Sequence, residues 1–99
     1  DFYDFAFLPD GRLMLALGEV DDRGLLAAHL IGATRATLRG GAQRLLSPAE
    51  ALDCSNTLLN QEVPAGTTLS CLYAVLDPQA GQIVLATAGD IASFWCSAR

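Results

Sequence analysis

Gly18-Glu19-Val20-Asp21-Asp22-Arg23-Gly24 decides how the chain is read. The apolar run Leu13-Met14-Leu15-Ala16-Leu17 leads into it, and a helical pattern starting at Leu25 leads out. The stretch is therefore a strand-to-helix joint, and it carries Glu19, Asp21 and Asp22 within four positions. Two readings of these acids follow. A helix N-terminus leaves its first amides unpaired and favours negative groups, so Asp21 or Asp22 caps the helix. Alternatively the acids serve a metal or anion site, because the end of a rigid strand aims side chains.

Before the joint, Asp1-Phe2-Tyr3-Asp4-Phe5-Ala6-Phe7 alternates weakly, is rich in aromatics and reads as a strand. Leu8-Pro9-Asp10-Gly11-Arg12 is a turn, with proline presetting φ and glycine supplying a positive one. An antiparallel hairpin of these strands brings Asp1 and Gly18-Glu19 to the same open end.

After the joint the period changes. Leu26, Leu30, Ala33, Thr37 and Leu38 fall on one helical stripe, while Arg35, Arg39 and Arg44 prefer other faces. Gly40-Gly41 is expected to end or bend this helix. His29 borders the stripe and reads as a half-buried structural histidine. Ser47-Pro48-Ala49-Glu50 starts a second helix: serine caps, proline takes the first helical position, and glutamate reaches back. That helix places Ala51, Leu52, Ser55, Leu58 and Leu59 on one face, and Val63-Pro64-Ala65-Gly66 stops it. The two helices form an αα-hairpin whose stripes need a sheet, or each other, to cover them. Residues 67–76 are rich in strand formers, Asp77-Pro78-Gln79-Ala80-Gly81 turns the chain, and residues 82–88 return as a strand. Gly89-Asp90 interrupts, and residues 91–96 read as a short last strand. The order is ββααβββ, an α+β chain with antiparallel pairing.

Ninety-nine residues suit a single small domain, residues 1–99. Of these, 52% are hydrophobic, and the mean hydropathy is +0.33. So much apolar material in so short a chain implies a partner surface or membership of a larger domain. The abrupt start at Asp1 beside aromatics fits a piece of something longer. Six arginines stand against eleven acids, with no lysine, for a net charge of -5. That balance excludes the basic face of a nucleic-acid binder and attraction to an anionic membrane. No apolar run approaches a membrane span, and no signal peptide opens the chain. Cys54, Cys71 and Cys96 are odd in number and widely spaced, and His29 is the only histidine, which argues against a zinc site. Buried free thiols in a reducing cytoplasm are expected.

There is no nucleophile elbow, Walker loop or dinucleotide fingerprint, and His29 lacks the context of a Ser-His-Asp triad. What remains are carboxylates at adjacent strand ends: Asp1 and Asp4 on one, Glu19, Asp21 and Asp22 on its neighbour. Hard oxygen donors so placed suit Mg²⁺ or Mn²⁺.

Here the residues resemble a family. Asp1-Phe2-Tyr3-Asp4 is similar to the aromatic-flanked acidic motif of the SpoIIE/RsbU-like branch of the metal-dependent (PPM, type 2C) serine/threonine phosphatases. The segment from Leu15 through Gly18-Glu19-Val20-Asp21-Asp22-Arg23-Gly24 to Ala28 looks like that family's Gly-Asp-Val-x-Gly-x-Gly stretch and following helix. Ser47-Pro48-Ala49-Glu50, Leu72-Tyr73-Ala74-Val75-Leu76-Asp77 and Ala86-Thr87-Ala88-Gly89-Asp90 resemble its middle. The likeness spans the chain and covers about the first half of such a domain, and it implies a partial α-β-β-α sandwich, two antiparallel sheets between helix layers, of which this chain supplies the helical hairpin and part of the strands.

The resemblance implies two Mn²⁺ or Mg²⁺ ions that activate water for in-line attack on a phosphoserine or phosphothreonine. Asp1 then matches one metal ligand, Glu19 the bridging aspartate, and the Val20 backbone carbonyl a third donor. It implies a cytoplasmic partner, a phosphorylated protein or signalling regulator. This chain departs from the pattern at several points. Glu19 replaces Asp, and the extra methylene moves the carboxylate by about 1.5 Å in a site with strict Mg²⁺ distances. Asp22 replaces a loop glycine, Arg23 beside it can pair with a carboxylate, and Asp90 replaces a histidine. The family's later acidic metal motifs do not occur within these residues. Metal binding is therefore expected to be weak or absent. Three readings stand: a phosphatase domain fragment of a bacterial signalling regulator, inactive as this chain; a non-catalytic pseudophosphatase module for interaction or dimerisation; and a purely structural α+β domain with acidic caps. As partner surface, the expectation is a homodimer, or a missing C-terminal half, over the faces left by residues 69–75 and 83–85.

Overall fold

The computed structural model describes residues 1–22, 24–61, 66–89 and 91. Its first hairpin follows from the turn at residues 8–12. Gly11 adopts φ 87°, the Leu8 amide donates to the Arg12 carbonyl (2.8 Å), and the Asp10 carboxylate holds the Arg12 guanidinium at 2.7 Å. That turn fixes the register of Phe2–Phe7 (β1) against Leu13–Val20 (β2), from Phe7↔Leu13 to Phe2↔Gly18. β2 pairs on its other side with Leu69–Asp77 (β3), and β3 pairs with Gln82–Ala88 (β4). The Asp77 carboxylate accepts from the amides of Gln79 and Ala80, and Gly81 turns at φ 63°. The result is one antiparallel sheet in the order β1-β2-β3-β4.

Between β2 and β3 run Leu25–Gln43 (α1) and Pro48–Leu59 (α2). The Ser47 capping box forms as expected: the Glu50 amide donates to Ser47 Oγ, and the Ser47 amide donates to the Glu50 carboxylate. α1 does not stop at Gly40-Gly41. A side chain on Gly41 would stand 3.2 Å from the Ala51 Cβ, so this glycine lets the two helices approach closely. Both helices lie over the sheet face that carries Phe2, Met14, Ala16, Cys71, Tyr73 and Val75, and Leu38, Ala42 and Ala51 complete the core. The α+β class is as read from the sequence.

Several boundaries and faces differ. β1 begins at Phe2, β2 continues to Val20, and β3 covers Leu69–Asp77 rather than residues 67–76. The stripe of α1 runs through Leu30, Thr34, Leu38, Gly41 and Ala42. Leu58 and His29 are exposed, and so is Cys54, whereas Cys71 is buried and its thiol pKa is pushed up to about 11 by desolvation. The strand expected over residues 91–96 lies, apart from Ile91, outside the described residues, as do Val63, Pro64, Ala65 and Cys96.

Candidate functional site

The candidate site is the end of the sheet where β1 starts and β2 stops. Gly18, Glu19 and Val20 are ladder residues, paired with Cys71, Ser70 and Leu69. The Asp21 amide extends that hold by donating to the Thr68 carbonyl (2.8 Å). Gly18 is required here for space. A Cβ on it would lie 2.5 Å from the Phe2 ring and 2.6 Å from the Ser70 carbonyl oxygen. The Phe2 ring therefore fills the place of a side chain on its cross-strand neighbour, which anchors the start of β1, one residue after Asp1.

Strand alternation puts Glu19 on the sheet face away from the helices, with Leu17. Asp1 precedes β1, and the register continued one residue back from Phe2 leads to it opposite Glu19. Both acids are exposed. They line different concavities, however. Glu19, Val20 and Asp21 border a hollow of about 270 Å³ with Thr68 and Ser70. Asp1 borders the groove between β1 and α1, with Asp4, Arg35 and Arg39.

Asp4 has a different job from Asp1. Its side chain is only 5% exposed, on the helix-facing side of β1. Arg39 Nε and Nη2 donate to its two oxygens at 2.7 and 2.8 Å, and Arg35 Nη2 approaches at 3.5 Å. Arg39 also donates to the Phe5 carbonyl (3.3 Å). The Arg39 hydrogen bonds hold the Asp4 carboxyl below the usual range against the opposing effect of burial. Asp4 thus fastens β1 to α1, and its oxygens are engaged by guanidinium groups rather than open to a cation.

The joint also differs from the capping reading. The N-cap of α1 is Gly24 at φ 77°, with no side-chain cap hydrogen bond and no acid in the first turn. Asp21 and Asp22 lie before it and are exposed. Arg23 and Asp90 fall outside the described residues.

Among the described residues, no three His, Cys, Asp or Glu side chains gather as a protein-only metal site would need. The carboxylates of Asp1 and Glu19 and the carbonyl of Val20 are hard oxygen donors, the right kind for Mg²⁺ or Mn²⁺. In number they fit one ion that keeps several waters, and they do not fit a pair of octahedral ions. A separate cleft of about 470 Å³ opens between the helical hairpin and the β3–β4 end, with Leu38, Leu52, Ser55, Leu59 and Ser70 among its walls. It contains none of the acids above.

A family model described as Stage II sporulation protein E (SpoIIE) matches residues 9–99. The match starts within the first turn, so it takes in β2, the joint, both helices, β3 and β4, and leaves β1 ahead of it. A comparison with the curated proteins finds no match for the chain. The acidic joint, the capped αα-hairpin and the β2-β3-β4 ladder all lie inside the matched residues, and the chain belongs to the SpoIIE family.

Proposed function

We propose that the chain is a metal-dependent serine/threonine phosphatase-type unit of a signalling regulator, acting in the cytoplasm on a phosphorylated protein. It supplies part of a cation site and does not turn over a phosphoester alone. The observation that supports this is the Phe2↔Gly18 pairing, whose register, continued by one residue, leads to Asp1 opposite Glu19 at one sheet end of a SpoIIE-family fold. Each residue has a distinct task. Asp1 and Glu19 supply charge for a hard divalent ion, Val20 supplies a neutral oxygen, and Gly18 with Phe2 sets their spacing. The Asp4–Arg39 pair keeps β1 seated on α1, so that Asp1 stays in place. When bound, Mn²⁺ or Mg²⁺ supplies a water of lowered pKa and a Lewis acid for a phosphoryl oxygen.

A second reading, a non-catalytic module of the same fold, is favoured by the shortage of carboxylates: Asp4 is engaged by Arg39, and Glu19 stands a methylene longer than the family's aspartate. Calorimetry with Mn²⁺ tests the cation site, and hydrolysis of p-nitrophenyl phosphate with Mn²⁺ tests turnover. Weak binding lost in Asp1→Ala and Glu19→Ala, with negligible hydrolysis, is expected. Robust metal-dependent turnover would contradict the proposal that this chain does not act alone. Heat release that persists unchanged in both variants would remove the cation site.

A further inference from the structure

The hollow beside Glu19 is lined by Glu19, Val20, Asp21, Thr68 and Ser70. Their side chains offer two carboxylates and two hydroxyls, with no nitrogen or sulfur ligand among them. Such a donor set selects a hard cation but does not by itself choose between Mg²⁺ and Ca²⁺. How the donors are held decides between the two. The backbone around the hollow is fixed. Glu19 and Val20 pair with Ser70 and Leu69 in the ladder, and the Asp21 amide donates to the Thr68 carbonyl just beyond. Gly18, one residue earlier, is crowded by the Phe2 ring and the Ser70 carbonyl, and Gly89 leaves no room for a Cβ beside Ser70 Oγ. The Glu19 carboxylate is held quite differently. It is exposed, it stands one methylene further from the backbone than an aspartate's would, and among the described residues it takes part in no hydrogen bond or ion pair.

We infer that Glu19 makes this hollow selective for Ca²⁺ over Mg²⁺. Mg²⁺ demands near-ideal octahedral geometry at about 2.0–2.1 Å and gives up its waters reluctantly. A long carboxylate on a backbone that cannot retract, with no hydrogen bond to orient it, meets that demand poorly. Ca²⁺ accepts irregular shells at about 2.3–2.6 Å and takes a carboxylate through one oxygen or both, so the reach and freedom of Glu19 cost it little. The hydroxyls of Thr68 and Ser70 border the same space and suit the larger oxygen count of Ca²⁺. Asp21 lies one residue beyond the ladder and adds charge for either ion. It therefore contributes affinity, and Glu19 contributes the preference. The inference rests on the reading of this sheet end as a cation site and concerns which ion that site keeps.

Competition against Mn²⁺ tests it. Substoichiometric Mn²⁺ broadens the amide resonances of Glu19, Val20, Asp21 and Ser70 in the 99-residue chain, and calcium or magnesium chloride is then titrated in at constant ionic strength. Ca²⁺ should restore the resonances at about one-tenth of the Mg²⁺ concentration or less. In Glu19→Asp the two concentrations should come within about threefold of each other. Glu19 is exposed, so the rest of the amide spectrum should be unchanged by that substitution. Asp21→Asn should raise both concentrations and keep their ratio. Equal displacement by the two ions in the unmodified chain, or a preference for Mg²⁺, would overturn the inference and leave the cation site standing. A Ca²⁺ preference that survives Glu19→Asp, or one lost in Asp21→Asn alone, would take the selectivity away from Glu19 and overturn it too. Absence of Mn²⁺ broadening in the unmodified chain would remove the cation site and the inference with it.

Discussion

Replacing Gly18 with alanine tests how the sheet end is built. Gly18 is not among the glycines with positive φ, so alanine meets no dihedral penalty there. The cost is steric. The new Cβ would lie 2.5 Å from the Phe2 ring and 2.6 Å from the Ser70 carbonyl oxygen. The ring is a side chain, but it is buried among core neighbours; the carbonyl belongs to the partner strand and cannot move without disturbing the ladder. Overpacking of this kind costs about 3 kcal/mol at the upper end of its usual range. The gain from a less flexible unfolded chain offsets about 0.5–1 kcal/mol. The net expectation is a loss of about 2 kcal/mol, which in urea moves the unfolding midpoint by roughly 1 M. Denaturation should be followed at one fixed protein concentration. In a Phe2→Ala background only the Ser70 carbonyl remains, so the further cost of Gly18→Ala should fall by about half. A Gly18→Ala variant as stable as the unmodified chain would refute this account of the Phe2–Gly18 contact and of what places Asp1.

Three further predictions follow from buried groups. Among the described residues, Ser55 Oγ and Tyr73 Oη are buried without a hydrogen-bond partner, so Ser55→Ala and Tyr73→Phe should be neutral or stabilising by up to about 1 kcal/mol in the same assay. A clear loss in either would reveal a partner for that hydroxyl. The Asp4 carboxyl is held below its ordinary pKa of 3.8, so its contribution is full above that pH and is lost as the pH falls through the lower folded-state value. Acid unfolding monitored below about pH 4 should therefore be less steep in Asp4→Asn, and an unchanged slope would show that Arg39 does not stabilise the charged form. In a Cys96→Ser background, the exposed Cys54 should react with a thiol reagent in the native state, while buried Cys71, with its pKa near 11, should react only on unfolding. Equal rates would contradict the burial of Cys71.

Local chemistry was legible in the sequence wherever neighbours along the chain decide the outcome. The Pro9-Asp10-Gly11 turn and the Ser47–Glu50 capping box form as their residues demand, and both set element boundaries. Contacts between distant residues were not legible in the same way. Arg39 falls off the apolar stripe in the sequence, yet it grips Asp4 thirty-five positions away. A signal for it exists: Asp4 shares the inward parity of Phe2 and Ala6, and a carboxylate there needs a cation from whatever packs above. Arg35 and Arg39, one helical turn apart, are the candidates. Gly41 read as a helix weakness because its reason, the Ala51 methyl, lies on the other helix. The alternation of Leu17-Gly18-Glu19-Val20 belongs to a strand, but the acids drew the reading toward a loop and a cap. Gly24, whose positive φ starts α1, took the capping position instead. Residues 69–75 and 83–85, the faces the sequence offers for a partner, divide between both sides of the sheet: Cys71, Tyr73 and Val75 face the helices, while Leu72, Ile83 and Leu85 lie on the opposite side. The two-sided apolar sheet explains why 52% of so short a chain is hydrophobic.

Paramagnetic broadening of amide resonances by substoichiometric Mn²⁺ tests the cation site most directly, because it locates the ion without relying on turnover. Broadening should centre on Phe2, Gly18, Glu19 and Val20 and disappear in an Asp1→Asn, Glu19→Gln double variant. Broadening centred on other acids, such as Asp53 or Asp77, or left unchanged by the double variant, would contradict the assignment of this sheet end as the family's metal-binding edge.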